Sequence, residues 1–183
     1  NLVLKFNNLR NKNLLDTKLN AANTSILPKE KDFDVHIITQ NIDDLHERAA
    51  STKVLHLHGQ ILKMRSEKNE RLVYDITGDI SIGDKAEDGA QLRPHIVWFE
   101  EPVPMIEEAI TIARDAEYFV VVGTSLVVYP AAGLLNYAPY GIPKFIIDKK
   151  IPYTSSLHDI TVIEKPATEG VRLLSEMLRN GKC

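Results

Sequence analysis

The chain has 183 residues, 44% of them hydrophobic and 26% charged, which suits one well-buried soluble domain with a small appendage. Its formal net charge of -3 argues against nucleic acid as a main partner, because gripping a phosphate backbone asks for a basic face. The single cysteine, Cys183, is the last residue, so neither an internal disulfide nor a cysteine zinc site can form within one chain. No apolar run approaches the roughly 20 residues that a bilayer requires, and Asn1-Leu2-Val3-Leu4-Lys5-Phe6 lacks the layout of a signal peptide. A cytoplasmic protein without a membrane partner is expected.

In chain order, 34–39 is short, rich in β-branched residues and followed by polar ones, which predicts a buried strand ending in a loop. A helical stretch follows over 43–49, then a second strand over 54–58 closed by Gly59. From Gln60 to Arg93 charges are frequent and apolar runs short, so 60–93 reads as an excursion from the main sheet. Extended structure returns at 96–99, and a helix runs from Pro104 to Ala116 with Ile106, Ala109, Ile110 and Ala113 at helical spacing. Tyr118 to Val122 is the strongest strand; Gly123-Thr124-Ser125 and a helix from Pro130 to about Ala138 come next. Strands over 144–147 and 160–163 and a last amphipathic helix over 168–178 complete the series. Apolar strands alternating with helices imply an α/β fold, a Rossmann-like doubly wound parallel sheet covered on both faces. Ligands in such sheets bind beyond the carboxyl ends of the strands, which selects 39–44, His58-Gly59 and 123–125.

At those ends the residue types suit a polar ligand. Gly123 allows close backbone approach, and the Thr124 and Ser125 hydroxyls can meet ribose or phosphate, although such loops also serve merely to turn the chain. Neither G-x-G-x-x-G nor G-x-x-x-x-G-K-[ST] occurs, which argues against a standard dehydrogenase or a P-loop enzyme. Gln40, Asn41, Asp43 and Asp44 concentrate amides and carboxylates; helix capping accounts for one or two of them and ligand binding for the set. His56 and His58 alternate on one side of their strand without a third ligand at metal spacing. His58, next to Gly59 at the strand end, is the better placed of the two, since an uncharged imidazole suits a general base near neutral pH.

These pieces occur together in one family. The runs 39–46, 55–59, 93–99 and 123–126 resemble the sirtuins, and the likeness extends loosely over nearly the whole chain. The resemblance implies one catalytic domain over 1–183 that uses NAD to deacylate lysine in protein substrates. It implies that Gln40, Asn41, Ile42 and Asp43 grip the nicotinamide and its ribose, that Gly123, Thr124 and Ser125 hold the rest of NAD, and that Asp148 and Ala167 lie at the adenosine. His58 is then the general base, while Val97 and Phe99 line the acyl-lysine tunnel or pair with the substrate peptide. In the implied reaction the acyl oxygen attacks the ribose carbon and expels nicotinamide, and His58 draws the proton from a ribose hydroxyl, which attacks the bound acyl group. Free lysine and O-acyl-ADP-ribose result.

The chain also departs from the pattern. Its 60–93 excursion carries none of the family's zinc cysteines, so a reduced, zinc-free small module is expected, one that holds itself by packing or is mobile. The family's first strand and Gly-Ala-Gly loop are expected ahead of Asn1 and have no counterpart in these residues. Phe99-Glu100-Glu101 stands where the family has Phe-Gly-Glu, which puts a bulky charge at a point of close substrate approach. Phe6-Asn7-Asn8-Leu9-Arg10 resembles the Phe-Tyr-x-x-Arg segment of members that remove acidic acyl groups, where Arg10 would pair with a carboxylate; a solvated helix arginine is the other reading. A sirtuin fold that binds NAD or ADP-ribose without turnover, and mono-ADP-ribosyl transfer, remain the alternatives.

Overall fold

The computed structural model describes residues 2–15, 17–26, 30–124, 129–150 and 160–180. Three sheets form among them. Strands β1 (Ile37–Thr39) and β2 (Val54–His56) run parallel, with Ile37 opposite Val54 and Thr39 opposite His56. Strands β3 (Gly59–Ser66), β4 (Val73–Asp75) and β5 (Leu92–Ile96) are antiparallel in the order β4-β3-β5, and their bulk is the stretch expected to leave the main sheet. Strands β6 (Phe119–Val122), β7 (Lys144–Asp148) and β8 (Ile160–Glu164) are parallel and in register, so Gly123, Asp148 and Glu164 share one end.

Helices seal the sheets according to their apolar stripes. Helix α5 (Ala167–Arg179) lays Val171 and Leu174 on Phe145, Ile147 and Ile163. Side chains buried this fully contribute about 1.5–3 kcal/mol each. Helix α4 (Ile106–Arg114) buries Ala109 against Leu57 and Leu134, and Ile38, Leu55 and Phe119 join the same cluster. That core therefore welds β1 and β2 to the β6-β7-β8 sheet. Helix α1 (Leu2–Leu15) sets Leu4 with Ile80, Ala86 and Leu92 on the antiparallel sheet. Two short helices, α2 (Ala21–Ile26) and α3 (Leu45–Arg48), complete the elements.

The elements depart from the sequence reading at their ends and in one helix type. The first strand starts at Ile37 rather than Asp34, where its pairing with β2 begins opposite Val54, and the Lys53 side chain reaches Asp34 and His36 ahead of it. The helical stretch after Pro130 is a 3-10 helix, Ala131–Asn136, with Gly133 at its centre lowering α-helical propensity. Segment 97–99 continues β5 only as an irregular loop. No helix among the described residues is long and apolar enough to cross a membrane.

Candidate active site

The site grows from the carboxyl ends of β1 and β2. Past Thr39 the chain turns sharply, with the Thr39 hydroxyl accepting the Asn41 N–H at 3.0 Å. Three successive carbonyls of the loop then find donors. His58 Nδ1 lies 3.0 Å from the Gln40 carbonyl, His56 Nδ1 lies 3.1 Å from that of Asn41, and the Ile61 N–H donates to that of Ile42 at 2.8 Å. A carbonyl only accepts, so the His58 proton sits on Nδ1 and its Nε2 carries the lone pair.

Gly59 makes this placement possible. Its φ is +79°, and a Cβ there would lie 2.2 Å from the His95 carbonyl oxygen, so only glycine lets β3 begin this close to β5. The same contact ties the loop after β5 to the histidine, since the Val97 N–H donates to the His58 carbonyl at 2.9 Å.

Strand β6 is followed by Gly123, whose φ is +62° and where an added Cβ would meet none of the described residues within 4 Å. Gln40 Nε2 donates to the Thr124 hydroxyl at 3.5 Å, joining the ends of the two parallel sheets. Gln40, Asn41, Ile42, His58, Val97 and Thr124 are thus brought together, with the Asn41 side chain exposed. The Asp43 carboxylate accepts the Leu45 N–H at 3.2 Å in the turn that leads into α3, whose N-cap residue Asp44 makes no side-chain capping bond.

Other expected residues lie further out. Asp148 ends β7, opposite Glu164, and accepts the Lys150 N–H; Ala167 opens α5 at the same edge of the sheet. Arg10 lies exposed on α1, its guanidinium 5.7 Å from the Phe6 ring, and no described contact joins it to the cluster around His58. Ser125 lies outside the described residues.

Two arrangements carry no sequence signal beyond their residue types. The first is a brace under the 97–101 loop. Arg93, 9% exposed, makes a two-pronged bond to Glu101 at 2.7 and 3.0 Å, reaches the Ile96 carbonyl, and stacks 3.5 Å from the centre of the Trp98 ring. Glu101 also accepts the Trp98 N–H at 2.9 Å. The guanidinium beside it holds the Glu101 carboxyl below its ordinary value. At the loop's tip Phe99 is 99% exposed and Glu100 adopts a left-handed φ of +71°. The second arrangement is a buried His56 bonded to Glu47 at 2.6 Å. Nearby, burial lowers the basicity of His46, and it does the same for His95, where Arg65 and Lys63 add to the effect.

Known proteins match this chain along most of its length. The family model described as Sir2 matches residues 3–130. A Bacteroides thetaiotaomicron protein named NAD-dependent protein deacylase is 45% identical over 183 residues, covering 97% of this chain and 78% of that protein. A Helicobacter pylori protein of the same name is 43% identical over 176 residues, covering 96% and 77%. Among solved structures, a mutant Sir2 homologue in complex with ADP-ribose has a TM-score of 0.84 at 29% identity, covering 98% of this chain and 74% of that one. A Sir2 homologue in complex with NAD has a TM-score of 0.83 at 29% identity, covering 98% and 72%.

Proposed function

The chain belongs to the Sir2 family, and on that premise we propose that it is an NAD-dependent protein-lysine deacylase with His58 as its general base. The observation that carries this reading is the 3.0 Å bond between His58 Nδ1 and the Gln40 carbonyl. It fixes the tautomer and aims the free lone pair of Nε2 at whatever the loop holds.

The donor set fits the cosubstrate. Gln40 and Asn41 offer neutral amides, Asp43 a carboxylate and Thr124 a hydroxyl, the groups that bind a carboxamide and ribose hydroxyls, while Gly123 leaves room for close backbone approach. NAD supplies the bond to nicotinamide whose cleavage opens the ribose to the acyl oxygen. The chain's own work is positional. Gln40, Asn41, Ile42 and Asp43 hold the nicotinamide ribose; Gly123, Thr124 and Ser125 hold the phosphate side; Asp148 and Ala167 meet the adenosine. His58 Nε2 accepts a hydroxyl proton near neutral pH. Val97 and Phe99 contact the acyl-lysine peptide, which is supported by the bond from Val97 to His58 and by the display of Phe99 on a braced loop. Arg10, exposed on α1, would pair with the carboxylate of an acidic acyl group such as succinyl, the other reading being a solvated helix arginine. The deprotonated hydroxyl would then attack the bound acyl carbon, and with one water taken up to release the lysine amine the products are free lysine, nicotinamide and O-acyl-ADP-ribose. We also read 1–183 as one catalytic domain with 60–93 as its small module, needing no zinc, and acting in the cytoplasm on proteins rather than nucleic acid.

A second reading, an NAD-binding module without turnover, is favoured by the left-handed Glu100 in the substrate loop. Mass spectrometry of NAD incubated with acetylated and succinylated peptides decides between them. O-acyl-ADP-ribose that forms with the wild type and not with His58→Ala is the expected result. Intact NAD alongside measurable nucleotide binding would establish the second reading instead.

A further inference from the structure

His56 is buried, 8% exposed, and lies outside the chemistry assigned to His58, yet both of its ring nitrogens are engaged. Nδ1 faces the Asn41 carbonyl at 3.1 Å and must carry a proton to bond it. Nε2 lies 2.6 Å from a carboxylate oxygen of Glu47, a short hydrogen-bonding contact. Glu47 in turn sits on a firmly tied turn. Arg48 N–H donates to the Asp44 carbonyl at 2.9 Å, Ser51 N–H to that of His46 at 3.0 Å, and the Arg48 guanidinium to that of Thr17 at 2.7 Å.

A histidine whose only task was to tie β2 to α3 would need the bond to Glu47 and no other. The bond to Asn41 does something else. It fixes the middle one of the three successive carbonyls, between those held by His58 and by the Ile61 N–H. With all three anchored, the peptide planes from Gln40 to Ile42 are set, and so are the directions in which the Gln40 and Asn41 amides leave the chain. Releasing the middle anchor frees the Asn41-Ile42 peptide to rotate while the sheet, the core and His58 keep their own contacts.

We propose that His56 and Glu47 form a positioning pair for the nucleotide loop: Glu47 orients the imidazole, and His56 holds the Asn41 carbonyl so that the loop's side chains are preorganised for NAD. This rests on the reading of Gln40 to Asp43 as the grip on the nicotinamide ribose. The pair touches neither the peptide side of the site nor the reacting atoms. It therefore acts on NAD affinity and leaves the acyl-peptide side alone.

The test uses the full chain and reads NAD affinity by calorimetry, KM for NAD and for acyl peptide separately, and thermal unfolding. His56→Ala is expected to weaken NAD by roughly tenfold, the size of one lost hydrogen bond, with the peptide KM changing less than about twofold. His56→Asn keeps an amide donor where Nδ1 stands and is expected to recover most of the loss. His56→Gln places its donor at the Nε2 position, toward Glu47, and is expected to recover little. Should His56→Ala fail to fold, Glu47→Gln at a partly exposed position keeps a neutral partner for the ring, with an expected loss of about threefold in NAD affinity. Unchanged NAD affinity in the variant that folds, equal behaviour of the Asn and Gln replacements, or NAD and peptide KM rising together in step with lost stability would overturn the proposal. A wild type that binds NAD but forms no O-acyl-ADP-ribose would sink the deacylase reading alone, since calorimetry still reports on the pair.

Discussion

Replacing Glu100 with glycine should make the protein both more stable and better at binding its peptide. Glu100 has φ +71° at the tip of the loop, where a side chain meets the following carbonyl oxygen, at a cost of about 1–2 kcal/mol for a residue with a Cβ. Glycine removes that cost and gives back about 0.5–1 kcal/mol through the greater freedom of its unfolded chain. The net gain is about 0.5–1 kcal/mol, which for a chain of this size raises Tm by about 1–4 °C. The turn itself should survive, because the Glu101 N–H still donates to the Trp98 carbonyl at 3.1 Å and Arg93 still braces Glu101. Guanidinium unfolding gives the stability, and steady-state kinetics give the rest: KM for acetylated peptide should fall while KM for NAD stays put. A lower midpoint for Glu100→Gly would refute the strain argument. An unchanged peptide KM would show that the carboxylate does not stand in the substrate's way.

At Gly59 an added Cβ meets the His95 carbonyl oxygen at 2.2 Å with φ already at +79°, so Gly59→Ala should lose about 2–4 kcal/mol and lower kcat by shifting His58; denaturant unfolding with turnover assays checks both, and a variant as stable as wild type would contradict the geometry. The Arg93 guanidinium holds the Glu101 carboxyl below its ordinary value, so the bond's stabilisation is full above the ordinary carboxylate range and lost as pH falls through the depressed value. Glu101→Gln should therefore be less stable near neutral pH, by about 1–3 kcal/mol, and should lose less stability than wild type between that pH and strong acid; parallel stability–pH curves for the two proteins would remove Glu101 from the account. Arg10 lies exposed, and Arg10→Gln should leave Tm unchanged while raising KM for succinylated peptide about tenfold over that for acetylated peptide, as measured by competition between the two; equal shifts for both peptides would end the acidic-acyl reading.

The parts of this molecule that could be read from sequence are those whose information is local. Phe119–Val122 shows no alternation of polar and apolar residues, but its unbroken apolar run and the glycine behind it suffice to mark a parallel strand, although only Val121 of the four is buried and Val120 and Val122 stand exposed. The site was legible for the same reason, because Gln40, Asn41 and His58 all lie within a few residues of strand ends that such runs define. Helix α1 reverses the signal. Its inner face carries Asn7 and Asn11, buried at 3% and 9%, and Asn8 exchanges bonds with the Ile80 backbone, while Leu2, Phe6 and Leu9 stand exposed. A hydrophobic period cannot reveal a helix that buries amides and shows its apolar residues. The Arg93 brace and the His56–Glu47 pair escape for a different reason: each depends on side chains that converge only after the loops have closed.

Why the proposed base sits where the folded core turns follows from the residues on either side of His58. Leu57, 1% exposed, is locked between Ala109 and Leu134, and its N–H donates to the Thr39 carbonyl at 2.9 Å. Gly59 presses against the backbone of β5. The imidazole between them inherits a backbone fixed by the core on one side and by the antiparallel sheet on the other, and the Gln40 carbonyl of the loop then orients its ring. Its partners are different, because Gln40 and Asn41 lie on a loop of few apolar contacts, with the Asn41 side chain in solvent. Order there must come from hydrogen bonds, and three of the donors that supply it are His58, His56 and the backbone that leads out of Gly59. The rigid turn thus imposes its geometry on the soft loop. Substitutions that loosen the turn should then affect the proposed base and nucleotide grip together, whereas a substitution that removes only the exposed Asn41 side chain should affect the grip alone.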